Sequence, residues 1–239
     1  MTKETAPDGA SAEFDQVAAE YDAALSQGIG VSGEDKEYFA DGRVRWMRDC
    51  LDRLGLTARS VMDYGCGTGT ATPFLIETLG CDRVVGVDVS DKSLEIARHQ
   101  FGTDTTTFFL VDDYKPEASI DAAYCNGTFH HIEPEIRPAA LKFVYDSLRP
   151  GGVFALWENN PWNVGTQYVM WRCPFDVHAI KVSAPGARRL LKAAGFEILG
   201  TDFYFIFPNF LRALRGLEAP LAPLPLGAQY QVLCRKPER

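Results

Sequence analysis

From residue 59 onward, short apolar runs alternate with longer segments in which apolar residues recur at helical spacing. The runs that we predict as strands are Ser60–Tyr64, Arg83–Asp88, Thr105–Val111, Ile120–Cys125 and Val153–Trp157. The helices predicted between them end near Leu79, open at the N-cap Ser90, and run from about Pro134 to Leu148. Strands that alternate with helices at this spacing need crossover connections, which build a mainly parallel sheet covered on both faces. The pattern therefore predicts a doubly wound α/β fold.

The last third of the chain follows a less regular pattern. A helix is predicted from Ser183 to Ala194, and the segments Phe196–Phe207 and Ala228–Cys234 are predicted as strands that bring the sheet to seven. Residues 159–182 and 208–227 interrupt this pattern, and the second interruption contains Pro220, Pro223 and Pro225. We interpret both as substrate-side insertions of one domain that spans residues 13–239.

The N-terminal region precedes the alternating pattern. Residues 1–12 are polar and are predicted to be disordered. A helix is predicted from Phe14 to about Leu25, and a second from about Glu34 to Leu54. We interpret residues 13–55 as an α-helical cap and residues 59–158 as the core of the domain.

Composition narrows the range of partners. Acidic residues outnumber basic ones by 32 to 24, a net charge of −8, whereas a protein that grips nucleic acid usually presents a basic face. We interpret the arginines at 43, 45 and 48 as a solvated helix face. The apolar runs are far shorter than a membrane span, and the polar start resembles no signal peptide. The six cysteines stand singly, without metal-ligand spacing. We expect a soluble, cytoplasmic protein with buried thiols and no metal site.

The segment Asp63-Tyr64-Gly65-Cys66-Gly67-Thr68-Gly69 follows a predicted strand and opens a helix, which is where doubly wound folds bind nucleotides. Thr70 occupies the place of the last glycine in a dinucleotide fingerprint. The carboxylate of Asp63 would repel a pyrophosphate but suits a ligand with a cationic amine. Asp88 ends the second strand, where a side chain can accept hydrogen bonds from both hydroxyls of a ribose.

Together these motifs resemble those of a known family. Asp63–Gly69 and Asp88-Val89-Ser90 are similar to the first two motifs of class I S-adenosylmethionine-dependent methyltransferases, which have a Rossmann-like fold. The similarity continues through Asp112, Asn126, His130-His131 and Leu148-Arg149-Pro150-Gly151-Gly152. Residues 14–22 resemble the leading helix of quinone-biosynthesis-type methyltransferases. The resemblance covers roughly residues 14–158, and more loosely the chain from Ser183 onward.

The resemblance implies S-adenosylmethionine as the cofactor. The residues that it assigns to cofactor binding are Tyr21, Asp63, Gly65, Cys66, Gly67, Gly69, Asp88, Val89, Asp112, Asp113 and Asn126. It implies that the glycine loop and Asn126 hold the methionine part, that Asp63 faces its amino group, and that Asp88 binds the ribose. It also implies that Asp112 and the backbone of Asp113 contact the adenine, and that Tyr21 closes over the cofactor.

Three further residues are candidates for catalysis. His130 and His131 lie in the loop after the fourth strand, where a histidine can act as a general base. The alternative is that one of them packs or caps the next helix, and the sequence does not separate the two. Glu158 follows the fifth strand at the carboxyl edge of the sheet, where it is placed to act as a base or to orient a substrate amine.

The sequence thus predicts methyl transfer to an O, N or C nucleophile of a small-molecule acceptor. The aromatic residues of the less regular regions favour a flat or apolar acceptor, with core packing as the alternative. The rival functions are a nicotinamide-dependent oxidoreductase and a non-catalytic S-adenosylmethionine-binding protein. A nucleic acid methyltransferase is disfavoured by the acidic charge and by Asn126-Gly127-Thr128-Phe129 at the strand-four loop. The acceptor and the oligomeric state stay open.

Overall fold

The computed structural model describes residues 30–173 and 179–238. The predicted disordered start, the predicted leading helix and Tyr21 lie outside these residues. The helices are α1 Lys36–Arg53, α2 Thr72–Leu79, α3 Asp91–Phe101, α4 Arg137–Ser147, α5 Val164–Arg172, α6 Ala184–Ala193 and α7 Glu218–Leu221. The strands are β1 Ser60–Tyr64, β2 Arg83–Asp88, β3 Thr106–Leu110, β4 Ile120–Asn126, β5 Leu148–Asn159, β6 Glu197–Tyr204 and β7 Gln229–Arg235. Two 3-10 segments, Gly30–Ser32 and Asn209–Leu217, complete the described elements.

The strands form one seven-stranded sheet in the order β3-β2-β1-β4-β5-β7-β6. The pairs among β1 to β5 are parallel, whereas β7 runs antiparallel to both β5 and β6. Asp63 in β1 lies in register with Tyr124 in β4, and Asn126 in β4 with Trp157 in β5. The carboxyl ends of these strands therefore meet at one edge of the sheet. The predicted doubly wound, mainly parallel, seven-stranded fold is confirmed.

Helices cover both faces of this sheet. On one face α4 and α6 bury Leu141, Val144 and Leu191 against the strands. On the other face α1 and α2 bury Met47 and Leu75. All six cysteines are buried free thiols, as the sequence predicted.

Three element boundaries differ from the prediction by three residues or more. β5 begins at Leu148 because pairing with β4 resumes across a bulge, and the backbone amide of Gly151 donates to the carbonyl of Lys236. α4 begins at Arg137 because the residues before it form a turn closed on the carbonyl of Glu133. β6 ends at Tyr204 because Phe205 adopts a positive φ of 62°, which leaves the strand conformation.

One prediction about the arginines of α1 is wrong. Arg45 and Arg48 are exposed and pair with Asp41 and Asp52. Arg43 is only 8% exposed, and its guanidinium points onto the sheet instead of into solvent. It lies on the apolar stripe of α1, which explains why it faces inward while its neighbours do not.

Candidate functional site

The loop after β1 is shaped by glycines at the carboxyl edge of the sheet. Gly65, Gly67 and Gly69 have φ values of 73°, 52° and 80°, a region that other residues rarely adopt. A Cβ on Gly65 would lie 2.2 Å from Oγ1 of Thr128, whereas no described atom lies within 4 Å of a Cβ on Gly67. Gly65 therefore permits the close approach of the loop after β4, and Gly67 leaves backbone accessible to a ligand.

Asp88 is fixed at the end of β2. Its Oδ2 accepts a hydrogen bond from the Gly67 amide at 2.8 Å, and its Oδ1 accepts one from the Ser90 amide at 2.9 Å. A carboxylate offers about four acceptor positions. The two backbone bonds thus fix the side chain beside the glycine loop, and its predicted role in binding a ribose stays a prediction.

Asp63 is a buried acid near the carboxyl end of β1. It is 2% exposed, and its Oδ2 has no hydrogen-bond partner among the described residues. Burial and the neighbouring Asp88 raise the pKa of Asp63 to about 7, while Arg43 opposes the shift. A buried carboxyl oxygen without a partner is costly, so it fits a site that a cationic group completes.

Arg43 is the functional candidate that the sequence interpretation missed. Its Nε donates to Oη of Tyr124 at 2.9 Å, and its Nη1 donates to Oε1 of Gln229 at 2.9 Å. A buried guanidinium near a buried carboxyl matches the opposite charges of an amino acid. The available signal was local: Arg45 and Arg48 each have an acid four residues away, whereas Phe39 and Met47 flank Arg43 at that spacing.

The other predicted cofactor residues occupy the same edge. Cys66 is buried within the glycine loop, and Val89 next to Asp88 is exposed. Asn126 ends β4, and its Oδ1 is buried without a hydrogen-bond partner in the part of the chain that the structure describes. Asp112 and Asp113 are exposed in the turn after β3. The predicted cofactor residues therefore lie at the ends of four neighbouring strands, in the sheet order β3-β2-β1-β4.

His130 and Glu158 come together behind this edge. Nδ1 of His130 lies 2.6 Å from Oε2 of Glu158, and the two side chains are 4% and 1% exposed. Oε1 of Glu158 accepts hydrogen bonds from the amides of Phe129 at 2.8 Å and His130 at 3.3 Å. The His131 ring packs on the His130 ring at a centroid distance of 4.1 Å. Glu158 thus holds both the imidazole and the backbone of the loop.

Aromatic residues of the less regular regions differ in their exposure. Phe203 and Phe205 are buried, and Phe205 packs against Phe39 of α1. Trp162 and Trp171 in the first insertion are 54% and 76% exposed. Core packing therefore accounts for Phe203 and Phe205, whereas Trp162 and Trp171 expose their rings in the first insertion.

Comparisons with known proteins agree with this architecture. A family described as "Methyltransferase domain" matches residues 61–152. A trans-aconitate 2-methyltransferase from Rhizobium etli is 32% identical over 184 residues, which cover 69% of this chain and 70% of the relative. A second, from Azoarcus sp., is 35% identical over 128 residues, 52% of this chain, so the chain matches about half (49%) of that relative.

Solved structures agree in fold. A methyltransferase from Thermotoga maritima superposes with a TM-score of 0.64 at 21% identity, covering 95% of this chain and 99% of that one. One from Mesorhizobium loti gives 0.55 at 22% identity, covering 75% and 91%. These likenesses establish a Rossmann-like methyltransferase fold.

The chain belongs to the class I S-adenosylmethionine-dependent methyltransferases. The resemblance drawn from the sequence motifs is confirmed, and membership in this family implies S-adenosylmethionine as the cofactor. No helix among the described residues is long and apolar enough to cross a bilayer. Within residues 30–173 and 179–238, no cluster of three or more His, Cys, Asp or Glu side chains is arranged to hold a metal ion.

Proposed function

We propose that this protein transfers a methyl group from S-adenosylmethionine to an O, N or C nucleophile of a small-molecule acceptor. The observation that carries the proposal is the buried carboxyl oxygen of Asp63, unpaired among the described residues. Its buried oxygen without a partner lies next to the accessible backbone of the glycine loop. Such an arrangement suits an amino acid joined to a nucleoside and disfavours a diphosphate.

The residues present fit this cofactor. Asp63 would accept from its ammonium group, the buried guanidinium of Arg43 would hold its carboxylate, and Asp88 would accept from its ribose hydroxyls. Asn126 would contact the methionine end, and Asp112 and Asp113 the adenine, with Tyr21 outside the described residues as a further contact. When bound, the cofactor supplies an electrophilic methyl group, so the chain's own task is to orient the acceptor and exclude water.

His130 is the proposed proton acceptor. Because Glu158 is a carboxylate acceptor at Nδ1, the ring hydrogen resides on Nδ1 and leaves Nε2 as the basic nitrogen. A base of this kind would take the proton of a hydroxyl or amine as that group attacks. His131, packed against the same ring, is proposed to line the acceptor side.

Glu158 is proposed to orient His130 and not to take the proton itself. Both of its oxygens are bound by donors of the loop after β4, and the side chain is 1% exposed. A carboxylate that holds one imidazole nitrogen fixes the tautomer and direction of the other.

The acceptor is proposed to enter between the two insertions. Related chains are named for trans-aconitate and for phosphoethanolamine, which makes these the first acceptors to test. Flat or apolar acceptors are the next class, because Trp162 and Trp171 offer an exposed aromatic surface. The acidic net charge of −8 supports a partner other than nucleic acid, and free thiols throughout support a cytoplasmic location.

Calorimetry with S-adenosylmethionine, S-adenosylhomocysteine and NAD tests the cofactor first. We expect binding of both S-adenosyl compounds, weaker binding by Asp88→Ala, and none of NAD. Transfer of a labelled methyl group to trans-aconitate, phosphoethanolamine and a set of aromatic hydroxy and amino compounds then tests the reaction. Binding of NAD without either S-adenosyl compound would contradict the proposal. Cofactor binding without transfer to any acceptor would favour a non-catalytic binding protein.

A further inference from the structure

A buried arginine binds the loop after β4 in addition to Glu158. Arg137 is the first residue of α4 and is 6% exposed. Its Nε donates to the carbonyl of Phe129 at 3.1 Å and to that of Ile132 at 2.9 Å. Glu158 accepts from amides of the same loop. The carboxylate therefore binds the loop's donors, and the guanidinium binds its acceptors.

The same arginine reaches the first insertion. Its Nη2 donates to the carbonyl of Ile180 at 2.8 Å, and the amide of Ile180 donates to the carbonyl of His130 at 2.8 Å. Ile180 itself is 45% exposed within the proposed substrate-side segment. A displacement of this segment would thus act on the backbone of His130 directly through one hydrogen bond, and on the rest of the loop through Arg137.

The chemistry of the site requires the planar fork of an arginine. Three carbonyl groups from separate points of the chain share one guanidinium, which presents five donors in a fixed plane. A lysine ammonium is compact and does not span three such acceptors. An apolar side chain at this position would leave the three carbonyl groups without this donor, and unpaired buried acceptors are costly.

We propose that Arg137 is a positioning residue for His130. It fixes the loop carbonyls so that the imidazole held by Glu158 keeps one direction, and it couples residues 179–182 to that direction. The inference rests on the proposed role of His130 as the proton acceptor. It adds a residue that does not touch the reacting atoms.

Arg137→Lys tests the proposal, with Arg149→Lys as the matched control. Arg149 binds the carboxylate of Asp121 and the carbonyl of Pro150 at the amino edge of the sheet, away from the loop. Amide hydrogen exchange is measured by NMR on the free proteins, without cofactor or acceptor. In Arg137→Lys we expect the amides of Phe129, His130 and Ile180 to exchange at least about tenfold faster, equivalent to about 1.4 kcal/mol.

Two further readouts separate positioning from bulk stability. The Nδ1–H proton of His130 should give a sharp downfield NMR signal in the wild type and in Arg149→Lys, and should broaden in Arg137→Lys. Turnover should fall about tenfold or more in Arg137→Lys, while the cofactor Kd stays within about twofold. Arg149→Lys should change neither quantity.

A folded Arg137→Lys protein with wild-type exchange and an unchanged Nδ1–H signal would overturn the proposal. So would faster loop exchange with full turnover, because the arginine would then be structural only. If Arg137→Lys does not fold, the wild type decides: fast exchange of the Ile180 amide would refute the link, and slow exchange supports it. The NMR readouts need no bound ligand, so they stand even if the proposed methyl transfer fails.

Discussion

The two loops that meet at the carboxyl edge are held in different ways. Residues 65–69 take their shape from glycines with positive φ and from amides of Gly65 and Cys66 that donate to the carbonyl of Val87. Residues 127–132 take theirs from two buried charged side chains, Glu158 and Arg137. The backbone amides of both loops are bound internally, but the first loop leaves open space beside Gly67, whereas the second is held by charged side chains and contains His130. In the proposed function, the first loop binds the cofactor and the second supplies the proton acceptor.

The largest effect is expected from a change in residues 127–132, the loop that contains His130. His130→Ala should lower turnover on the acceptor found in the transfer screen by about 100-fold or more, because it removes the proposed general base. Cofactor affinity, measured by calorimetry, should change little, since the proposed cofactor contacts do not include His130. His99→Ala on the exposed face of α3 is the control. Wild-type turnover in His130→Ala would remove this residue from the reaction.

The next largest effect is expected from Asp88, which binds residues 65–69 through the amide of Gly67. Asp88→Ala removes the carboxylate that binds Gly67 and Ser90 and that faces the proposed ribose. Cofactor binding should weaken by about 1.5–3 kcal/mol for each charged hydrogen bond lost. Calorimetry with S-adenosylhomocysteine measures this, and Asp91→Ala at the exposed start of α3 should bind normally. Unchanged affinity in Asp88→Ala would exclude it as a cofactor ligand.

A smaller effect tests how the two loops fit together. Gly65→Ala should lower the free energy of unfolding by about 1–3 kcal/mol, because the new methyl group meets Thr128. Gly67→Ala has the same kind of φ but no described neighbour within 4 Å, so it should cost less stability and mainly weaken cofactor binding. Gly55→Ala, also at positive φ with no described neighbour, reports the backbone strain alone. Chemical denaturation compares the three, and equal losses would contradict the close packing at Gly65.

The smallest effect is a pH dependence set by Asp63. Its pKa is raised to about 7 by burial and by Asp88, against the opposing charge of Arg43, so in the free protein it gains a proton as pH falls below 7. An ammonium ligand needs the charged form, so cofactor affinity should fall with decreasing pH below 7, by up to about tenfold per unit. Calorimetry from pH 6 to 8 should show this slope in the wild type and not in Asp63→Asn.

The same shift affects the stability of the free protein, with a sign that can be checked. Between the ordinary pKa of an aspartate and about 7, the folded protein holds a proton on Asp63 that the unfolded chain has lost. The contribution of this group to stability should therefore decline as pH rises through that window, and bound cofactor should offset the decline. A wild-type stability profile that parallels that of Asp63→Asn would contradict the assignment.

The sequence predicted the seven strands, the helices α1 to α4 and α6, and the place of the glycine loop because these depend on local signals. The helices α5 and α7 lie in the two predicted insertions and were not predicted. Strand periodicity and the glycine spacing are properties of a few neighbouring residues. Arg43 and Arg137 escaped because their partners, Gln229 and Ile180, are 186 and 43 residues away. Glu158 is a candidate that the sequence predicts from its place at a strand end. Its hydrogen bonds to the amides of Phe129 and His130 could not be predicted, because they depend on the pairing of β4 with β5.

Phe205, which has a positive φ, packs after β6 against α1, a helix far away in the sequence. Its ring fills the space left by Gly42, where a Cβ would lie 2.7 Å away, while Gln229 at the start of β7 holds Arg43 one residue further along α1. The helix α1 is thus bound to the end of β6 and the start of β7, and its Arg43 acts electrostatically on Asp63 in β1. We therefore expect a change that loosens β7 to disturb Arg43 and, through its charge, Asp63.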